Sequence, residues 1–274
     1  MTFEITSKNK KHIEGEKMIE FLTGLANLAG AESLRYFGKI KAGDVEGKAT
    51  SKDLVSIADK AIEKLIVSKI LERFPDHDIF GEETGHRGTK SEFCWIIDPI
   101  DGTQSFVKHH PYYSISIALY KNGTGYAGAV NAPAVGRLFT AVSGQGAFEN
   151  GEPIHVSDCT ELENAACATG FARLRENKVE PVLEKFVRVL PHLRDIKRCG
   201  SAALDLAMTA AGVFDGYWEE GLQLYDMAAG AIICREAGGV VTDFQGGANM
   251  PADGIIAAPA PIAAALQKLL NKSE

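Results

Sequence analysis

The chain lacks paired cysteines, long apolar runs and any excess of positive charge, and each absence closes off a class of function. Its five cysteines, Cys94, Cys159, Cys167, Cys199 and Cys234, are odd in number and contain no Cys-x-x-Cys pair. Neither a disulfide framework nor a cysteine zinc site is suggested, and small core residues are the expectation. The stretch from Met1 to Lys17 has neither an apolar core nor a small-residue cleavage pattern, so no secretory signal is read and a cytoplasmic location is expected. A charged fraction of 24% and a mean hydropathy of -0.06 suit a globular chain and exclude membrane spanning and disorder. Lys and Arg number 29 against 36 Asp and Glu, a net charge of -7, and the largest basic cluster is Lys8 to Lys11. No nucleic-acid groove is expected from that balance. No internal repeat or low-complexity tract is present.

At about 150 residues per domain, 274 residues make one large or two ordinary domains. Met18, Phe21, Leu22, Leu25, Leu28 and Ala29 recur at helical spacing. So do Ala58, Ile62, Leu65, Ile66, Ile70 and Phe74, which Pro75 stops. Strand patterns follow near Asp78 to Phe80, at Phe93 to Ile97, and in the alternation Tyr113, Ile115, Ile117, Leu119. Further strands are expected at Gly125 to Asn131 and Leu138 to Val142, ahead of an Asn150-Gly151 hairpin. This half reads as helices on an antiparallel sheet. From Ala165 the pattern alternates between strands and helices, an α/β rhythm. The polar stretch Ile154 to Glu161 marks the join, giving expected units of 1–154 and 155–274.

The chemistry is carried by acids. An apolar strand runs into Asp98-Pro99-Ile100-Asp101-Gly102-Thr103, where Pro99 is expected to end the ladder by removing a donor. Two carboxylates at such a strand end either share a proton or hold a cation, and hard oxygen ligands suggest Mg²⁺. An ordinary Asp-Gly surface turn is the competing reading. Glu82 and Glu83 in Gly81-Glu82-Glu83-Thr84 are open to two readings as well, a metal ligand or a solvated turn. Asp53 and Asp226 each precede a predicted helix, where they could equally be N-caps. His109 and His110, adjacent on an extended segment, read as surface loop, and Trp218 as core.

The order Asp53, Gly-Glu-Glu-Thr at 81–84, Trp-Ile-Ile-Asp-Pro-Ile-Asp-Gly-Thr at 95–103, and Tyr225-Asp226 before Ala-Ala-Gly resembles the inositol monophosphatase family. Arg-Cys-Gly-Ser-Ala-Ala-Leu-Asp-Leu-Ala (198–207) and Glu-Ala-Gly-Gly (236–239) extend the resemblance, which runs from about Gly15 to Lys268. It implies an α/β fold, α+β in the first half, with layered αβαβα architecture. It also implies a Mg²⁺-dependent, lithium-sensitive phosphomonoesterase that forms a homodimer.

Carried over by residue, the resemblance implies a first Mg²⁺ on Glu82, Asp98 and the Ile100 carbonyl, and a second on Asp98, Asp101 and Asp226. A third, weaker ion is implied near Glu82. Thr103, with Asp53 as acceptor, would orient the attacking water. Gly102 and the amides of Gly102 and Thr103 would face the phosphate, while Glu219 and the Gly200-Ser201-Ala202 turn would meet the alcohol. Asp101, Thr103 and Asp226 would also border the substrate, a small sugar or polyol phosphate such as inositol 1-phosphate. Relatives acting on fructose 1,6-bisphosphate, histidinol phosphate or 3′-phosphoadenosine phosphates keep those substrates open. A non-catalytic metal-binding regulatory protein is the reading from another class. One departure stands out. Leu224-Tyr225 occupies the place of the family's Pro-Trp before Asp226, so packing beneath that ligand is expected to differ.

Overall fold

The computed structural model describes residues 7–39, 45–47, 54–88, 90–176 and 179–271. Helices α1 (Ser7–Tyr36) and α2 (Ile57–Arg73) lie on either side in sequence of a short hairpin, β1 (Val45–Gly47) and β2 (Leu54–Ser56). There follow β3 (Asp78–Gly81), β4 (Gly85–Arg87), β5 (Phe93–Asp101), the single-turn α3 (Thr103–Val107), β6 (Ser114–Lys121), β7 (Thr124–Ala132), β8 (Arg137–Val142), β9 (Ala147–Glu149) and β10 (Glu152–Ile154). The remainder is β11 (Ala166–Thr169), α4 (Glu180–Val189), β12 (Asp195–Lys197), α5 (Ala202–Ala210), β13 (Gly216–Glu219), α6 (Leu224–Glu236), β14 (Val240–Thr242), β15 (Ile255–Ala258) and α7 (Ala260–Leu270).

Eight strands form one sheet in the order β10-β9-β8-β7-β6-β5-β3-β4, and five form a second in the order β12-β11-β13-β15-β14. The first sheet corrects the purely antiparallel expectation, because β3 and β5 pair in parallel. The segment carrying β4 makes this possible: it pairs antiparallel with β3 on the far side from β5 and returns the chain to the end from which β5 starts. In the second sheet β11 pairs in parallel with β12 and β13, while β13, β15 and β14 are antiparallel.

Three apolar clusters order these elements into layers. Leu22, Ala26, Ile62 and Ile66 of α1 and α2 bury one face of the large sheet through Trp95, Ile97, Ile117 and Leu119. Strict alternation turns Ile96, Ala118 and Val130 to the opposite face, where they meet α5 and α6. The second sheet closes over those helices with Tyr217, Ile255 and Ala257 and carries α7 on its far side through Ile256, Ala258, Ile262 and Leu266. Helix, sheet, helix, sheet, helix is the layered arrangement expected. No helix among the described residues is long and apolar enough to cross a membrane. The cysteines are free thiols, with Cys167 and Cys234 buried as core.

The central helix pair packs closely because small residues line the seam. A Cβ at Gly230 of α6 would lie 2.5 Å from Leu206 Cβ and 3.1 Å from the Ala203 carbonyl oxygen. By contrast, a Cβ at Gly24 on α1 meets nothing within 4 Å. Gly230→Ala is therefore expected to destabilise the protein by about 1–3 kcal/mol through overpacking, and Gly24→Ala to stabilise it by up to about 1 kcal/mol. Denaturant midpoints of the two variants, moving in opposite directions, check both.

Candidate active site

Strand β5 builds the centre of the site through an irregularity. Asp98 pairs with Ser116 and Asp101 with Ser114, so three steps along β5 match two along β6 and one residue is extra. This bulge falls at Pro99-Ile100, where Pro99 has no N–H for the ladder. Asp98 Oδ1 accepts the Ile100 N–H at 3.0 Å and closes the kink. In a regular strand residues three apart face opposite sides. The extra residue cancels that alternation and brings both carboxylates to the same side. Pro99 thus bulges the strand rather than ending it.

Asp226 joins them from the first turn of α6. Oxygens of Asp98, Asp101 and Asp226, all buried, lie within 4.8 Å of one another. Each is fixed by its own element. Asp101 Oδ2 accepts the Ser201 hydroxyl at 2.6 Å and the Ala203 N–H at 2.7 Å, so it binds the opening turn of α5, where Ser201 also caps Leu204 N–H. Asp226 Oδ2 accepts the Gln223 N–H at 2.5 Å in a reciprocal capping box. The Tyr225 ring sits 6.0 Å from Phe80, and its carbonyl accepts Ser116 Oγ at 3.2 Å.

Glu82 enters from the turn after β3, its N–H donating to the Ile97 carbonyl at 3.1 Å. Burial pushes the Asp98 carboxyl well above the usual range, and the negative charges of Glu82, Asp101 and Asp226 push it further. These are hard oxygen donors crowded where anions repel, and a divalent cation relieves the repulsion that burial magnifies. The donor set therefore fits a metal of the Mg²⁺ type.

Thr103 donates its hydroxyl to the Ile100 carbonyl oxygen at 3.2 Å, so the expected water-orienting hydroxyl and the expected carbonyl ligand are neighbours. Asp53, its expected acceptor, lies outside the described residues. Gly102 takes φ 92°, and a Cβ there would stand 3.0 Å from the Gly200 carbonyl, which only glycine tolerates. The same contact brings the Gly200-Ser201-Ala202 turn against the start of α3. Glu219 ends β13, buried, and Trp218 is core as expected. His109 and His110 are exposed.

Residues that pattern reading passed over complete the surroundings. Asp59 groups its carboxylate with Glu82 and Glu83 within 4.8 Å. Glu63, one turn further along α2 and fully buried, accepts the Glu83 and Thr84 N–H groups at 2.9 and 2.8 Å. The signal was present, since two acids at i and i+4 share the buried face with Ile62, Ile66 and Ile70. Asp205 accepts the Tyr112 hydroxyl at 2.6 Å.

A sequence model described as the inositol monophosphatase family matches residues 14–273. The chain belongs to the inositol monophosphatase family. Among relatives, a protein of Aquifex aeolicus named fructose-1,6-bisphosphatase/inositol-1-monophosphatase is 38% identical over 85% of this chain and 86% of its own length. The Nus factor SuhB of Escherichia coli is 41% identical over 77% of this chain and 79% of its own. A crystal structure of extragenic suppressor protein suhB from Bartonella henselae superposes with a TM-score of 0.88 at 36% identity, covering 94% of this chain and all of that one. As a member of this metal-dependent phosphatase family, the chain carries acidic clusters able to bind a metal.

Charge crowding has a measurable cost in metal-free protein. The folded Asp98 carboxyl keeps its proton to higher pH than the unfolded one, so the folded state binds more protons. Stability is then full below the unfolded pKa of about 4 and is lost as pH rises through the raised folded value. Asp98→Asn removes that loss while retaining an acceptor for Ile100 N–H. In EDTA the variant is expected to melt at or above wild type at neutral pH, with the gap closing towards about pH 4. Thermal melts across that range check it, and a variant melting lower at neutral pH contradicts the account.

Proposed function

We propose that this protein hydrolyses a small sugar or polyol phosphate, with inositol 1-phosphate as the leading substrate, in a Mg²⁺-dependent reaction. The observation that carries the reading is the buried group Asp98, Asp101 and Asp226, with Glu82 beside Asp98. Glu82, Asp98 and the Ile100 carbonyl would hold one ion, and Asp98, Asp101 and Asp226 a second. Bound there, Mg²⁺ supplies a hard Lewis acid that neutralises phosphate charge and stabilises the attacking and leaving oxygens.

The chain's own residues supply orientation. Thr103 would turn from the Ile100 carbonyl, accept a hydrogen bond from the attacking water and donate its own hydroxyl proton to Asp53, whose carboxylate takes up the proton as the water is activated. The Gly102 and Thr103 amides would face the phosphoryl oxygens, while the bare Cα of Gly102 lets the Gly200-Ser201 turn pack against it. Ser201 and Ala203 hold Asp101 in place, and Ala202 with Glu219 borders the alcohol part. Local acids and their cations, rather than the net charge of -7, set the field that an anionic substrate meets. The units 1–154 and 155–274 contribute opposite walls in this reading, a homodimer is the expected assembly, and the cytoplasm the expected location.

A second reading, a regulatory protein that retains the fold, is favoured by the relatives named Nus factor SuhB. Turnover separates the two. Wild type is expected to release phosphate from inositol 1-phosphate with Mg²⁺ and none with EDTA, and Asp98→Asn to be inactive under both conditions. Thr103→Ala is expected to keep metal binding and to lose about 10²–10⁴ in kcat. A panel including fructose 1,6-bisphosphate, compared by kcat/KM, ranks the substrates. Phosphate release unaffected by chelator contradicts the metal-dependent reading.

Lithium provides an independent test. Li⁺ matches Mg²⁺ in size and in preference for hard oxygen, but its single charge stabilises a leaving oxygen less well. Initial rates are expected to fall with millimolar LiCl and not with equal KCl. Superimposable curves for the two salts would refute Li⁺ competition at Asp98, Asp101 and Asp226.

A further inference from the structure

Strands β11 and β13 run parallel as neighbours, and Thr169 Oγ1 donates to the Trp218 carbonyl at 2.7 Å where they end together. Carboxyl ends of adjacent parallel strands are where such sheets gather ligands. Gly170 follows one strand and Glu219 ends the other. A Cβ on Gly170 would stand 2.1 Å from Glu219 Oε2 and 2.3 Å from Oε1, so the carboxylate lies against a bare Cα. Oε1 accepts the Ala172 N–H at 2.8 Å, and Oε2 accepts the Tyr217 hydroxyl at 2.5 Å.

The last torsion of a glutamate is broad and roughly two-fold, so one hydrogen bond leaves the carboxylate plane poorly set. Donors on both oxygens fix it. Tyr217 suits that task because it is fully buried and stands two residues before Glu219, on the same face of β13. Burial raises the Tyr217 hydroxyl well above its ordinary value, and Glu219, Asp205 and Asp101 raise it further, so it remains a neutral donor. Asp205 belongs to α5, whose opening turn grips Asp101. The charges that act on the Tyr217 hydroxyl are thus those of Glu219 and of the acids at and against α5.

We propose that Tyr217 is a positioning residue for substrate selection: its hydroxyl, opposite the Ala172 amide, sets the Glu219 carboxylate against Gly170 so that it receives hydroxyl groups of a polyol phosphate. The proposal rests on the reading that the site hydrolyses polyol phosphates with Glu219 beside the alcohol. A carboxylate is an acceptor with about four lone-pair positions, so it selects donors such as vicinal hydroxyls and gives nothing to an ester without them.

Tyr217→Phe deletes the hydroxyl alone. KM for inositol 1-phosphate is expected to rise about tenfold, the cost of one misplaced hydrogen bond, with kcat within about twofold. With p-nitrophenyl phosphate, which has no alcohol hydroxyl, kcat/KM is expected to stay within about twofold, because the Tyr217 hydroxyl donates to Glu219 and not to a residue assigned to the metals or the phosphate. Glu219→Gln combined with Tyr217→Phe is expected to cost no more than the costlier single change, since both act on one contact. Gly170→Ala, which displaces the carboxylate from its other side, is expected to shift the same KM ratio and decides the matter should Tyr217→Phe fail to fold. Equal losses on both substrates, additive losses in the double variant, or an unchanged KM ratio overturn the positioning role. Wild type that hydrolyses p-nitrophenyl phosphate but shows no preference for inositol 1-phosphate overturns this proposal alone. Wild type that hydrolyses neither overturns the phosphatase reading with it.

Discussion

One extra residue in β5 governs the chemistry of this molecule. A regular pleat would send Asp98 and Asp101 to opposite faces of the large sheet, one into the α1–α2 layer and one towards α5 and α6. The bulge at Pro99-Ile100 makes them neighbours, and the Asp98 contact with Ile100 N–H holds the kink shut. What the bulge gains in proximity it loses in electrostatics, because each added carboxylate raises the free energy of Asp98. The surrounding elements must hold the acids together against that repulsion.

They do so by giving individual carboxylates a donor from a helix start. The opening turn of α5 serves Asp101 through a hydroxyl and an amide, and the capping box of α6 serves Asp226. Helix beginnings carry partial positive charge, so both helices favour an acid where the sequence places one. The same bonds join parts of the chain 100 residues apart, since Asp101 ends a strand of the large sheet and Ser201 precedes α5 in a connection of the second. Site geometry and tertiary assembly are consequently one set of interactions.

Much of this was legible from residue pattern. The long helices, the meander from Phe93 to Val142 and the alternation after Ala165 each have a strong period, and the acids at strand ends carry a specific order. Four short strands escaped reading. β1, β2, β4 and β12 have three residues each, too few to display a period, and all four lie at sheet edges. The parallel pairing of β3 with β5 was hidden because pairing direction depends on the path of the connection, not on strand composition. Asp59 and Glu63 were masked by a different effect, being acids on a helical face otherwise devoted to the core, where apolar periodicity draws the eye past them. Pro99 carried the correct signal, a missing ladder donor, but whether a strand stops or bulges there is decided by the partner strand. Glu219 was singled out only through the family resemblance, and its fastening to Tyr217 and Ala172 could not be read from pattern, because it depends on how β11 and β13 meet.

The central helices also bear on how the protein is made. Every residue of α5 is buried, as is α6 from Asp226 to Cys234, because each helix has a sheet on both sides. The large sheet is complete once Ile154 has been synthesised, yet the face bearing Ile96, Ala118, Val130 and Phe139 acquires its cover only when α6 emerges some 80 residues later, by the difference 236 − 154. At about 5–20 residues per second that interval lasts several seconds, during which the nascent chain presents an oily sheet surface to the cell. Mutations in the seam of α5 and α6 would prolong that exposure, so their first consequence in a living cell is capture by chaperones or aggregation of unfinished chains, ahead of any change in the finished protein.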